Sequence, residues 1–68
     1  MTITLNGRPC ELPASGTPAA ALAELGLQPG ARGVAVAVDG EVVPRAEWDS
    51  RALRDGARVE VLTAMQGG

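Results

Sequence analysis

Reactive side chains are scarce in this sequence, and they are not grouped as a catalyst would need them. The chain has one cysteine, Cys10, and neither histidine nor lysine. Without histidine there is no Ser/His/Asp or Cys/His arrangement to activate a nucleophile. One cysteine and no histidine leave no zinc site of a usual kind. A phosphate-cradling GxxxxGK[ST] loop would lack its lysine. Carboxylates are scattered through turns and outward strand positions, and a pocket in so small a domain would be shallow. An enzyme acting alone is not the expectation. What remains is the ending, Ala64-Met65-Gln66-Gly67-Gly68. Glycine packs nothing and loses the most freedom on ordering. A terminal pair is therefore either a frayed end or a slim carrier for the final carboxylate.

The second reading has definite chemistry. An α-carboxyl group has a pKa of about 3.5, so at neutral pH it is a resonance-stabilised anion that resists nucleophiles. It must gain a leaving group first, and adenylation by ATP would supply one. The activating enzyme must admit the carboxylate while keeping water from the acyl-adenylate. Fully extended, a tail of residues 64–68 reaches about 17 Å, enough to thread into a partner while the body, residues 1–63, stays outside. Gly68 would carry the attachment, and Gly67 would give access by having no side chain to obstruct a narrow channel. Leu62 and Met65 are candidate apolar docking contacts at the tail's root, or else isolated surface hydrophobes. Trp48, the sole aromatic residue, is either a cap on the core or a docking anchor, and core packing is the expectation for so large a side chain. Cys10 reads as a small buried hydrophobe, since no cation or helix N-terminus is evident to lower its pKa.

Composition agrees. At 68 residues and 46% apolar content there is material for one modest core. A chain this short buries only about 60% of the surface that its unfolded form exposes. Six basic residues, all arginine, against eight acidic ones give a net charge of −2, which argues against a nucleic-acid binder. No apolar run approaches a membrane span and no secretory signal is visible, so a cytoplasmic protein is expected. A single cysteine fits a reducing compartment.

The elements that must position the tail are legible. Met1, Ile3 and Leu5 alternate with polar residues, and Asn6-Gly7 is a strong hairpin turn. A two-residue loop pairs Leu5 with Arg8, Ile3 with Cys10, Thr4 with Pro9 and Met1 with Leu12. Cys10 and Leu12 then face inward, and Pro9 restricts the second strand to a sheet edge. Thr17 and Pro18 mark a helix start, and Gly26 marks its end, with Leu27 folding back. Ala21, Leu22 and Leu25 supply its apolar stripe. A second hairpin turns at Asp39-Gly40, and its first strand, Val34 to Val38, is apolar on both faces as an interior strand would be. Pro44 closes its return strand. A connector follows, with one irregular turn expected near Ser50 to Leu53. The Asp55-Gly56 turn leads to a last strand with Val59 and Val61 inward. A lone helix between two pairs of strands must lie across one face of one sheet. The first and last strands then become parallel central neighbours. This α+β arrangement is the ubiquitin-like β-grasp, and it leaves the end of the last strand projecting as a tail that should be mobile.

The segment Val43-Pro44-Arg45-Ala46-Glu47-Trp48, the run Arg54 to Leu62 and the ending Gln66-Gly67-Gly68 resemble the sulfur carriers of thiamine biosynthesis, the ThiS family. The resemblance spans the whole chain. It implies a carrier rather than an enzyme, with no bound cofactor. A ubiquitin-activating-like adenylyltransferase would adenylate Gly68 using ATP. Sulfur derived from cysteine through a cysteine desulfurase would convert it to a thiocarboxylate, and thiazole synthase would take that sulfur for the thiazole ring. Rival readings are a small-subunit carrier for molybdopterin synthesis, a carrier for tRNA thiolation, a protein modifier, and a plain β-grasp interaction module.

Overall fold

Two turns set the frame of the structure, a computed structural model that describes residues 1–28 and 30–64. Strand β1 (Thr2–Leu5) meets β2 (Arg8–Glu11) through Asn6-Gly7, whose φ angles of 50° and 83° form the doubly left-handed pair of a hairpin turn. The register is the expected one: Leu5 opposite Arg8, Thr4 opposite Pro9, Ile3 opposite Cys10. Met1 and Leu12 extend the ladder, each donating its N–H to the other's carbonyl, at 2.7 and 2.8 Å. β2 is an edge strand, as Pro9 requires. The second hairpin joins β3 (Val34–Val38) to β4 (Glu41–Val43). Asp39 and Gly40, at φ 51° and 85°, make its turn.

The last strand, β5 (Arg58–Thr63), inserts between the hairpins. It runs parallel to β1 and antiparallel to β3, giving the order β2-β1-β5-β3-β4. Val59 and Val61 are buried on its inner face beside Ile3, Leu5, Val36 and Val38. Burying each such side chain stabilises the fold by about 1.5–3 kcal/mol. This is the mixed-sheet, one-helix β-grasp that the element order implied.

Helix α1 (Pro18–Glu24) closes the inner face, with Pro18, Ala21 and Leu22 buried. Its end is a left-handed glycine cap. Gly26 has φ 76° and donates to Ala23, while Leu27 donates to Leu22, each at 3.0 Å. Those two bonds satisfy carbonyls that have no partner within the helix. One expectation is corrected here. Leu25 is not part of the buried stripe; it is 42% exposed because the helix stops at Glu24, and half-buried Leu27 takes its place against the core. Thr17 sits at the N-cap, but its side chain makes no capping bond. Instead the carbonyl of Trp48 accepts the Ala19 N–H at 2.9 Å.

The connector after β4 also differs. A single 3-10 turn spans Arg45–Glu47, earlier than expected. Pro44 has no N–H with which to extend the β4 ladder, and its carbonyl accepts the Glu47 N–H at 2.9 Å. Among the described residues no helix is long and apolar enough to cross a membrane.

Candidate functional site

The helix covers one side of the sheet and leaves the other open. On the open side β5 presents Arg58, Glu60 and Leu62, because successive residues alternate faces. The register places Leu62 beside Ala35, and Ala37 between Glu60 and Val42. Leu62 is 69% exposed and Val42 is 70% exposed. Between them, over the small side chains of Ala35 and Ala37, lies a shallow groove of about 560 Å³ that reaches Asn6 and Gly7. A second depression of about 440 Å³ continues past Leu62 to Gly33, Thr63 and Ala64. An apolar strip therefore runs across the sheet to the point where β5 ends. Large exposed aliphatic side chains that adjoin one another mark contact surfaces more often than isolated ones do.

The strand end itself is held. Ala64 donates its N–H to the Gly33 carbonyl at 2.6 Å, continuing the β5–β3 ladder one residue beyond the strand. Asn6 secures the other edge: its Oδ1 accepts the Val61 N–H at 2.7 Å, and its Nδ2 donates to the Val61 carbonyl at 3.2 Å. The opposite end of β5 is charged rather than apolar. There Arg54 pairs with Asp39 at 3.3 Å and Arg51 with Glu41 at 2.9 Å. A hydrogen bond from the Arg58 N–H, aided by Arg54, holds the Asp39 carboxyl below the usual carboxylate range.

The residues singled out from sequence fall in three places. Leu62 lies on the open face, at the centre of the apolar strip. Trp48 does not: it is 4% exposed, with its indole N–H donated to the Val43 carbonyl at 3.0 Å and the Arg45 guanidinium stacked 4.5 Å from its ring centre. Its reading as a docking anchor is corrected, and it is the core cap that its size implied. Met65, Gly67, Gly68 and the expected tail mobility lie outside the described residues. Cys10 faces Ile3 at the sheet edge, half-buried. Burial, with Glu24 and Glu11 nearby, raises its thiol pKa, so its reactivity is suppressed rather than enhanced.

The sequence reading did not pick out Val42, Ala35 or Ala37. It took Val34 to Val38 as apolar on both faces and did not weigh the alternation in size. Valines occupy one face and alanines the other, which marks a packed side and a shallow open one. Among the described residues no three His, Cys, Asp or Glu side chains gather in a way that would hold a metal ion.

The chain is similar to known proteins in ways that match this geometry. The family model described as the ThiS family matches residues 3–68. A crystal structure of a thiamine biosynthesis protein (ThiS) from Geobacter metallireducens superposes with a TM-score of 0.77 at 34% identity, covering 100% of both chains. No curated protein matches the chain. With the family model spanning nearly its full length and a solved relative that matches it over both whole chains, the chain belongs to the ThiS family of small sulfur carrier proteins.

Proposed function

We propose that the chain carries sulfur for thiamine biosynthesis as a thiocarboxylate on Gly68. The observation that carries this reading is the apolar strip from Val42 through Leu62, which ends at Thr63 and Ala64, the end of the strand that precedes Gly67-Gly68 in sequence. A carrier needs such a layout. Its body must dock by a surface near the reacting end, and its own side chains must stay out of the chemistry. Leu62 is the proposed central contact, with Met65 further along the chain.

The carboxylate of Gly68 attacks the α-phosphorus of ATP in the active site of a ubiquitin-activating-like adenylyltransferase, and pyrophosphate leaves. A cysteine desulfurase draws sulfur from cysteine onto its own thiol as a persulfide, and the outer persulfide sulfur displaces AMP to give an acyl disulfide. A second thiol of the partner machinery reduces that S–S bond, leaving a disulfide there and a thiocarboxylate on the tail. Sulfur is a softer nucleophile than oxygen, and tethering it avoids release of free sulfide. Thiazole synthase accepts the sulfur for the thiazole ring. The carrier binds no cofactor of its own; ATP is the partner's substrate. Because partners bind in turn, each interface should be small, below about 1,200 Å² in total. The setting is cytoplasmic, where a lone thiol such as Cys10 stays reduced.

Intact-mass measurement tests this reading. After incubation with the adenylyltransferase, ATP and a sulfur source, the chain should gain the difference of one oxygen-to-sulfur exchange. A chain shortened by Gly68 should gain nothing. If the full chain forms neither adenylate nor thiocarboxylate, the carrier reading fails. Co-purification with thiazole synthase identifies the acceptor.

A further inference from the structure

Asn6 opens the β1–β2 turn, where its left-handed backbone is all that the hairpin asks of it. Glycine or aspartate would satisfy that demand. Its side chain nevertheless reaches across 55 positions of sequence to Val61 and makes two hydrogen bonds there.

The reason lies in how β1 and β5 part company. Their backbone pairing covers Thr4 with Arg58 and Leu5 with Val59. The last main-chain bond between them runs from the Asn6 N–H to the Val59 carbonyl, at 2.9 Å. After that the chain turns into β2 while β5 continues. Along β5 and the residues that flank it, Ala57 and Val59 aim their carbonyls at β1, whereas Arg58 and Ala64 bond toward the β3 side. By this alternation Val61 presents the next rung to β1, and no β1 backbone remains to meet it. The Asn6 carboxamide meets it instead. A carboxamide has the donor and acceptor of a peptide group in one plane, so it replaces the missing rung. Val61 is also the residue before Leu62, and Asn6 itself lines the groove on the open face.

We infer that Asn6 is the positioning residue of the docking face: its carboxamide latches β5 beyond the reach of β1 and so fixes how Leu62 and the strand end are presented to a partner. This role in docking rests on the carrier reading, whereas the latch itself does not. Asparagine suits the position because it accepts a left-handed backbone and offers both hydrogen-bonding partners on a short arm. Aspartate keeps the turn but loses the donor, and sets a second oxygen against the Val61 carbonyl. Glycine keeps the turn and removes the arm.

Asn6→Gly and Asn6→Asp therefore separate turn from latch. Amide hydrogen exchange is measured on the full chain at a temperature where each variant is folded. In Asn6→Gly, exchange at Val61 should accelerate about tenfold, the scale of a lost hydrogen bond, while Val36 and Val38 stay protected; in Asn6→Asp an oxygen still accepts the Val61 N–H, so exchange there should rise less. In pyrophosphate release by the adenylyltransferase, KM for the carrier should rise about three- to tenfold with kcat held within about twofold, because docking is lost and chemistry is not. In Asn6→Gly, unchanged exchange at Val61, or equal acceleration at Val36 and Val38, overturns the latch. Accelerated exchange with an unchanged KM overturns the positioning role. If the unaltered chain is never adenylated, it is the carrier reading that fails, and the exchange data still decide the latch.

Discussion

A Cβ placed on Gly33 would lie 3.2 Å from the Cβ of Ala64, the same residue whose N–H is bonded to the Gly33 carbonyl. Gly33 also has φ 68°. Two demands, a left-handed backbone and a close neighbour, thus coincide at the entry to β3, directly beside the end of β5. Gly33→Ala should cost about 1–2 kcal/mol from the backbone alone, with crowding of Ala64 added. In an Ala64→Gly background the crowding disappears and the backbone cost stays. Urea midpoints of the two single variants and the double variant should therefore be non-additive by about 0.5 kcal/mol or more. A Gly33→Ala chain as stable as the parent would contradict both halves of this account.

Trp48 joins the core, the end of β4 and the start of α1. Its ring fills the core, its indole N–H satisfies the Val43 carbonyl, and its own carbonyl satisfies the Ala19 N–H at the start of α1. Trp48→Phe should cost about 1–3 kcal/mol, since the buried Val43 carbonyl loses its partner. Trp48→Ala should cost about 3–5 kcal/mol. A domain of this length has roughly 3–10 kcal/mol in all, so the alanine variant should be largely unfolded at 37 °C. As Trp48 is the only aromatic residue, its fluorescence reports on this one site. Emission should be blue-shifted in the folded chain and move red in a single step with denaturant; solvent-like emission from the folded chain would refute the buried placement.

How much of this was readable in advance depends on how local the determining physics is. Asn6-Gly7 and Asp39-Gly40 fix their hairpins by backbone angles alone, and pairs such as Ile3 with Cys10 followed residue by residue. Pro9 identified the edge for the same reason, because a missing N–H needs no context. What was missed depends mostly on partners distant in sequence or on where an element stops. Thr17 takes the N-cap position that its type suggests, yet it is the Trp48 carbonyl that meets the Ala19 N–H. Asn6 reads as a turn residue, and nothing nearby in sequence shows that its side chain replaces a strand. Leu25 fits the helical period but lies past the helix's last residue, where a stripe no longer faces the sheet. Of the site, Leu62 was legible from its place in the last strand. The rest of the strip was not, because Val42 and the two alanines become neighbours only when β3 pairs with both β4 and β5.

Asp39 should impose a specific acid sensitivity. Its carboxylate accepts the Arg58 N–H at 2.9 Å and faces Arg54, which lowers its pKa in the folded state. The unfolded chain, with an ordinary value of about 3.9, takes up the proton first as pH falls. The stabilisation is therefore complete above that value and is lost as pH drops through the folded-state pKa. Asp39→Asn keeps an oxygen for the Arg58 N–H but has no charge to titrate. The stability difference between parent and variant should be flat above about pH 5 and shrink progressively toward pH 2. Denaturant titrations across that range check it, and a difference independent of pH would show that the charge plays no part.

The open face makes the sharpest separation between stability and function. Leu62 and Val42 keep more than two-thirds of their surface in solvent, so their side chains add little to the folded state. Replacing either by glutamate, a polar change at an exposed position, should alter stability by no more than about 0.5 kcal/mol. The same replacements put a charge where a partner must exclude water, and an unpaired charge at the centre of an interface is costly. Leu62→Glu should therefore raise KM for the adenylyltransferase by about tenfold or more, with Val42→Glu less severe because it lies farther from the end of β5. Arg51→Ala, at the charged end of the sheet, serves as the control and should leave KM unchanged. A carrier that is adenylated normally with glutamate at position 62 would mean that partners grip some other surface, and the apolar strip would then have no part in docking.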